Sequence, residues 1–173
     1  MAAGETLQLT PGEAVTIVSS TPGALEVEAT YGQSRTPPPM HYHPAQDESF
    51  EVVEGSIRVR YGREKGELAA GEKLEIPAGL AHQMWNPSET PARVRWTTSP
   101  RGRTEDWFRS IDALVQKSAP KEPSPLGFAV LLSEFGDTFR LAVAPYPLTL
   151  PVIKVLGVTG RLLGHSAGVG AQG

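Results

Sequence analysis

Three of the four histidines in this 173-residue chain lie between positions 41 and 82. Two of them are two residues apart, in the run His41-Tyr42-His43-Pro44-Ala45-Gln46-Asp47-Glu48. On an extended strand, side chains at i and i+2 project to the same face, so both imidazoles can converge on one point. Imidazole suits first-row transition metals, and a carboxylate adds neutralising charge. Two carboxylates compete for that part, Asp47 and Glu48. If Glu48 faces inward, Phe50 and Val52 go with it, and Ser49 and Glu51 face water. If Asp47 faces inward, an unpaired Glu51 is buried at considerable cost. Alternation therefore favours Glu48.

The third histidine lies in Gly71-Glu72-Lys73-Leu74-Glu75-Ile76-Pro77-Ala78-Gly79-Leu80-Ala81-His82-Gln83-Met84-Trp85-Asn86. A strand from Lys73 to Ile76 meets a Pro77-Ala78-Gly79 turn and returns through His82, which delivers a third imidazole. Gly55, Gly71, Pro77 and Gly79 are turn residues and need no chemical role. Asn86 is expected to stabilise a turn. Gln46 is expected to face solvent, and His165 to be an ordinary surface histidine.

The elements that must carry these groups are strands. Val15 and Ile17, Leu25, Val27 and Ala29, Ile57, Val59 and Tyr61, Leu74 and Ile76, and Val94 and Trp96 each alternate with polar or charged neighbours. Period-2 alternation with Gly and Pro punctuation describes short antiparallel strands in a sandwich or barrel. After Pro100 the period changes. Trp107, Phe108, Ile111, Leu114 and Val115 recur at helical spacing, with Thr104 as the expected N-cap. A second helix is expected behind Ser124 as N-cap and Pro125, ending near Gly136. A third is expected from about Thr149 to Gly164, with Gly157 and Gly160 either weakening it or allowing close packing. The domain reading is a β-barrel over 1–100, a helical extension over 101–165 and a flexible Gly/Ala-rich tail over 166–173.

The motifs resemble those of the cupin superfamily. The first segment has its two histidines, four residues, Glu48, six residues and Gly55; the second has Gly71, Pro77, Gly79, His82 and Asn86. Fifteen residues separate Gly55 from Gly71, which is similar to the spacing of compact, single-domain microbial cupins. Where the first motif usually opens with Gly, six residues before its first His, this chain has Arg35, followed by Pro37-Pro38-Pro39. The resemblance implies a mainly β fold, the double-stranded β-helix or jelly-roll barrel. It also implies one divalent transition metal (iron, manganese, nickel, copper or zinc) on His41, His43, Glu48 and His82.

Cupins resembling this one include quercetin-dioxygenase-like enzymes, isomerases and binding modules without chemistry. The inward positions Phe50, Val52, Ile57, Val59, Tyr61 and Met84 are apolar or aromatic and are expected to line a pocket. Such a lining suits an uncharged organic molecule better than a sugar phosphate, which would want inward Arg or Lys. The expectation is a metal-dependent, dioxygenase-like enzyme. The alternatives are a small-molecule binding or sensor module, or a domain that the metal only stabilises.

Composition narrows the partners. A net charge of −3 without a Lys/Arg run gives no electrostatic reason to expect nucleic acid. The absence of cysteine excludes disulfides and thiolate chemistry. The apolar stretch from Leu141 to Leu163 is broken by Pro145, Pro147, Pro151, Lys154 and Arg161, so no membrane span is expected. A soluble cytoplasmic protein is the default. The apolar faces of the helices must be covered, across one end of the barrel or against a second copy, and a homodimer is expected.

Overall fold

The computed structural model describes residues 4–119 and 123–167. Ten strands come first: β1 Thr6–Thr10, β2 Glu13–Ser20, β3 Leu25–Tyr31, β4 His41–Tyr42, β5 Asp47–Glu54, β6 Ser56–Tyr61, β7 Glu64–Ala69, β8 Lys73–Ile76, β9 His82–Trp85 and β10 Ala92–Ser99. Then follow α1 Thr104–Ser118, α2 Pro125–Glu134, the two-residue strand β11 Arg140–Leu141 and α3 Tyr146–Leu162.

Two antiparallel sheets face each other. One runs β1-β2-β3-β10-β5-β8 and the other β11-β4-β9-β6-β7. Alternation places one parity of each strand inside. Leu25, Val27, Ala29 and Tyr31 of β3, Glu48, Phe50 and Val52 of β5, and Ala92, Val94 and Trp96 of β10 are all buried. The opposite parity carries the charges. Arg93 lies 2.9 Å from Glu54 and 3.2 Å from Glu28, and Arg95 lies 2.9 Å from Glu51. Exposed pairs of this kind contribute about 0–1 kcal/mol each. They matter more by leaving the outer wall with little apolar ground for a helix.

Glycine permits two sharp reversals. Gly55 (φ 77°) is the single residue between β5 and β6, where the chain passes from one sheet to the other. Gly79 (φ 80°) occupies the third position of the Pro77–Leu80 turn, closed by a 3.1 Å bond from the Leu80 amide to the Pro77 carbonyl. A type II turn needs a positive φ there.

The helical extension departs from the sequence reading at two helix starts. Thr104 is the first residue of α1, not its cap; Arg103 holds the cap position and no side chain caps it. The Thr104 hydroxyl is instead engaged by Gln46 Nε2 at 2.7 Å. Gln46 is therefore buried rather than solvent-facing, and its amide also lies within bonding distance of the Pro100 and Arg101 carbonyls, tying the barrel to the start of α1. The third helix starts at Tyr146, three residues before Thr149, because Pro147 is tolerated in the first turn, and Pro151 falls inside it. Ser124 caps α2 as its residue type predicts, accepting from the Gly127 amide at 2.9 Å.

Gly157 and Gly160 serve close packing. A Cβ on Gly157 would stand 2.6 Å from Ser133 Oγ, and one on Gly160 would stand 2.8 Å from Val130 Cγ2 and 2.9 Å from the Leu126 carbonyl oxygen. Helix α1 lies against β1, held by Arg109 at 2.7 Å from Glu5 and by the Gln8 amide donating to Asp112 at 2.8 Å. Among the described residues no helix is long and apolar enough to cross a membrane. The tail expected beyond His165 falls outside the described residues from position 168 onward.

Candidate metal centre

The site is built where β4 meets β9. His41 pairs directly with His82 across the two strands, so their side chains share a face by register alone. His43 follows β4 on the same parity, and its carbonyl accepts the Gly79 amide at 2.8 Å. The turn that returns β9 thus also pins the first histidine segment. The imidazole nitrogens of His41, His43 and His82 come within 4.8 Å of one another.

Backbone carbonyls orient each ring. Nδ1 of His41 lies 3.2 Å from the Pro39 carbonyl, Nδ1 of His43 2.7 Å from that of Thr138, and Nδ1 of His82 3.0 Å from that of Leu80. A carbonyl only accepts, so a neutral imidazole at each position carries its proton on Nδ1 and keeps the Nε2 lone pair for a ligand. The Pro37-Pro38-Pro39 run, where this chain departs from the usual motif, thereby supplies the acceptor that orients His41.

Glu48 enters from β5 and is fully buried. Its carboxylate oxygens lie 3.3 Å from His43 Nε2 and 2.9 Å from His82 Nε2, while Trp96 Nε1 donates to Oε1 at 3.1 Å. Glu48 thus touches two of the three histidines and stands beside, not within, the mutual cluster of the three. Asp47 points the other way, exposed, and accepts the Ala78 amide at 2.8 Å. Glu51 faces outward to Arg95 and Lys73.

The electrostatics follow from burial. Burial is the largest influence on His41 and lowers it to about 3, helped by the neighbouring histidines. Burial alone would raise Glu48, but His43, His82 and His41 together outweigh it and bring the carboxyl down to about 2. Burial opposes protonation of His82, but its contact with Glu48 prevails and raises it.

Within the site, His43 Nε2 has no hydrogen-bond partner, and Glu48 Oε2 has only the close approach of His82 Nε2. Leaving such groups unsatisfied costs about 1–3 kcal/mol each. A cation among these nitrogens and the carboxylate would satisfy both, and this donor set fits a divalent first-row metal.

The cluster opens on a chamber of about 470 Å³. Its wall includes Phe50, Met84, Trp96, Trp107, Phe108 and Phe139. Phe50 and Met84 were among the expected lining residues. Val52, Ile57 and Val59 are packed in the barrel core, where side chains from facing strands fill the interior, and neither they nor the half-buried Tyr61 border the chamber.

Sequence reasoning missed the part played by the extension. Phe139 stacks on His41 with centroids 4.5 Å apart, Thr138 orients His43, and β11 pairs Leu141 with His41. No local signal marks these residues, because they act across about a hundred positions of chain. Asn86 does brace a turn, donating to the Tyr31 and Thr90 carbonyls and accepting the Ser88 amide. His165 is half-buried, with Nε2 3.5 Å from the Ser124 hydroxyl.

Residues 27–98 match the model of the Cupin domain family. The chain is 37% identical over 84 residues to the tetracenomycin polyketide synthase protein TcmJ of Streptomyces glaucescens, covering 48% of this chain and 54% of that protein. It is 37% identical over 60 residues to Polyketide synthase CurC of Streptomyces cyaneus, covering 35% of this chain and 39% of that one. The chain thus spans about half or less of the length of these curated relatives. In fold it is similar to an RmlC-like cupin from Shewanella frigidimarina, with a TM-score of 0.53 at 20% identity over 59% of this chain and 88% of that one. Motif spacing, the two facing sheets and the match converge on the fold: residues 27–98, the span that matches the Cupin domain model, lie within a double-stranded β-helix.

Proposed function

We propose that this chain is a metal-dependent, dioxygenase-like enzyme acting on a largely uncharged organic molecule of the polyketide class. His41, His43, Glu48 and His82 hold the metal, which supplies Lewis-acid or redox chemistry to whatever the chamber binds. The observation that carries the reading is the placement of three metal-ready imidazoles on the wall of an apolar, aromatic chamber of about 470 Å³. A metal that only stabilised the fold would need no such space. Among the described residues no Lys or Arg borders it, which disfavours a phosphorylated ligand. The names of the two curated relatives, both polyketide synthase proteins, support the substrate class.

The test is to load the full chain with iron, manganese, nickel, copper or zinc in turn and follow oxygen uptake with flavonol, diketone and aromatic polyketide substrates. Uptake with one of the redox-active metals, lost together with metal content in His43→Ala and His82→Ala, is the expected result. Wild-type metal content in both variants would refute the ligand set. Saturable binding without uptake or product would move the reading to a binding or sensor module.

A further inference from the structure

A second cavity of about 350 Å³ adjoins the chamber, and the two share part of their lining. The shared wall includes Thr10, Pro11, Glu13, Tyr31, Pro38 and Met84. The second cavity also reaches the exposed residues Gln33 and Thr36, so it is the side nearer to water. Of the shared residues only Glu13 and Tyr31 ionise.

Register explains how they meet. Glu13 opens β2 on the same parity as Val15 and Ile17, whose side chains are core, and its Cα lies opposite that of Tyr31 in β3. The carboxyl is therefore carried inward, within hydrogen-bonding reach of the Tyr31 phenol. Packing does not require an acid here. An apolar residue would continue the parity, and even a half-buried carboxyl is costly without a countercharge.

Among the described residues no Lys or Arg lines either cavity. The ionisable groups around Glu13 are Tyr31 from β3, Glu48 from β5, which acts on Tyr31, and, across the chamber, His41 from β4, His43 just after it and His82 from β9. The lining residues from β1 and α1 carry no charge. Burial raises Glu13 to about 7, with the Tyr31 hydrogen bond pulling the other way. Burial, with Glu13 beside it, pushes Tyr31 well above its ordinary value, so Tyr31 stays a protonated donor. A carboxyl poised near neutrality is what proton transfer in both directions requires.

We propose that Glu13 is the general acid–base of this chamber, with Tyr31 as the residue that positions it. The substrate it serves carries an acidic C–H beside a carbonyl, a class taken from the function proposed above. The C–H bond breaks, its electron pair moves into the carbonyl to give an enolate, and the proton forms a new O–H bond on Glu13. The same carboxyl returns the proton to carbon, or releases it to water through the second cavity. No oxidant enters this step.

The test uses metal-loaded full-chain protein, without oxygen, in D2O, with 2-tetralone as probe. This uncharged bicyclic ketone has acidic hydrogens whose exchange for deuterium is read by NMR. Wild type should exchange them faster than buffer, along a pH profile with a midpoint near the value of about 7 given above. Glu13→Gln, which is isosteric, should exchange about a hundredfold more slowly, with metal content unchanged and a melting temperature no lower than that of the wild type. Tyr31→Phe should keep the exchange with its midpoint moved upward, since the lost hydrogen bond favoured the ionised form; a purely structural tyrosine would not move it. Infrared spectroscopy without substrate should show a protonated-carboxyl band that titrates in wild type and is missing in Glu13→Gln.

Exchange no faster than buffer, or Glu13→Gln matching wild type in rate and midpoint, overturns the proposal. So does an infrared band that is the same in both proteins. Because oxygen is absent, the two readings fail separately. Exchange without oxygen uptake keeps Glu13 and removes the oxygenase. Uptake undiminished in Glu13→Gln does the reverse.

Discussion

Individual side chains in this cavity titrate against one another, and the signs can be worked out. His41 in the folded chain sits at about 3, below its ordinary 6.5. Between those values the unfolded chain binds more protons, so stability rises with pH. Glu48, at about 2, acts in the same direction below 4.5. Glu13, raised to about 7, acts oppositely: the folded chain holds its proton, so its contribution is full below 4.5 and is lost as pH rises to about 7. His82, also raised, adds stability that is lost above 6.5. Urea midpoints of metal-depleted protein at pH 4, 5.5 and 7 should therefore rise steeply at first and then flatten. Glu13→Gln should steepen the upper limb, by up to about 3 kcal/mol between pH 4.5 and 7. Superimposable curves for the two proteins would contradict the burial of Glu13. At this scale the histidines and Glu48 were legible, because motif spacing and strand parity both speak of them. Glu13 has the same parity signal, but an acid at the start of a strand reads as a solvent-facing end until its neighbours in space are known.

Secondary-structure elements were legible where one period dominated. Strands β2, β3, β5, β6, β8 and β10 and the capped start of α2 follow directly from alternation and from Ser124-Pro125, whereas the exposed β7 carries no such signal. The start of α3 was misplaced because proline is compatible with a first turn, and two candidate prolines lie four residues apart. The glycines of α3 permitted two readings, and packing chose between them. Gly160→Ala makes this quantitative. Helix propensity favours Ala by about 1 kcal/mol, but the new Cβ would meet the Leu126 carbonyl oxygen at 2.9 Å, and that backbone cannot turn aside. The substitution should lower stability by about 1–3 kcal/mol as α3 is pushed off α2. An unchanged or raised melting temperature would show that the helices can separate freely.

At the scale of the whole molecule, α1 and α2 help close one mouth of the barrel, with Trp107, Phe108 and Phe128 on the chamber wall. Helix α3 remains open on its outer side, where Leu148 (70% exposed), Val152 (58%), Val155 (65%) and Leu162 (82%) follow one another at spacings of four, three and seven residues. Such a stripe is the seam of a helix pair, and the homodimer expected from the sequence would place it at the interface. Light scattering should give twice the chain mass, and Val155→Glu should return the monomer with the chamber intact. A monomeric mass for the wild-type chain would remove the dimer and leave this face unexplained.

One small feature has a kinetic side. Strand β11 is only two residues long, yet the segment that contains it supplies the carbonyl that orients His43, the ring that stacks on His41 and part of the chamber wall. Short edge pairings are the first to open in local fluctuations. When this one opens, the mouth widens and two imidazoles lose their supports in the same event. If a metal and an organic ligand occupy the site as proposed, a single motion gates both, and a ligand bulky enough to hold the seam shut should slow the exchange of the metal as well.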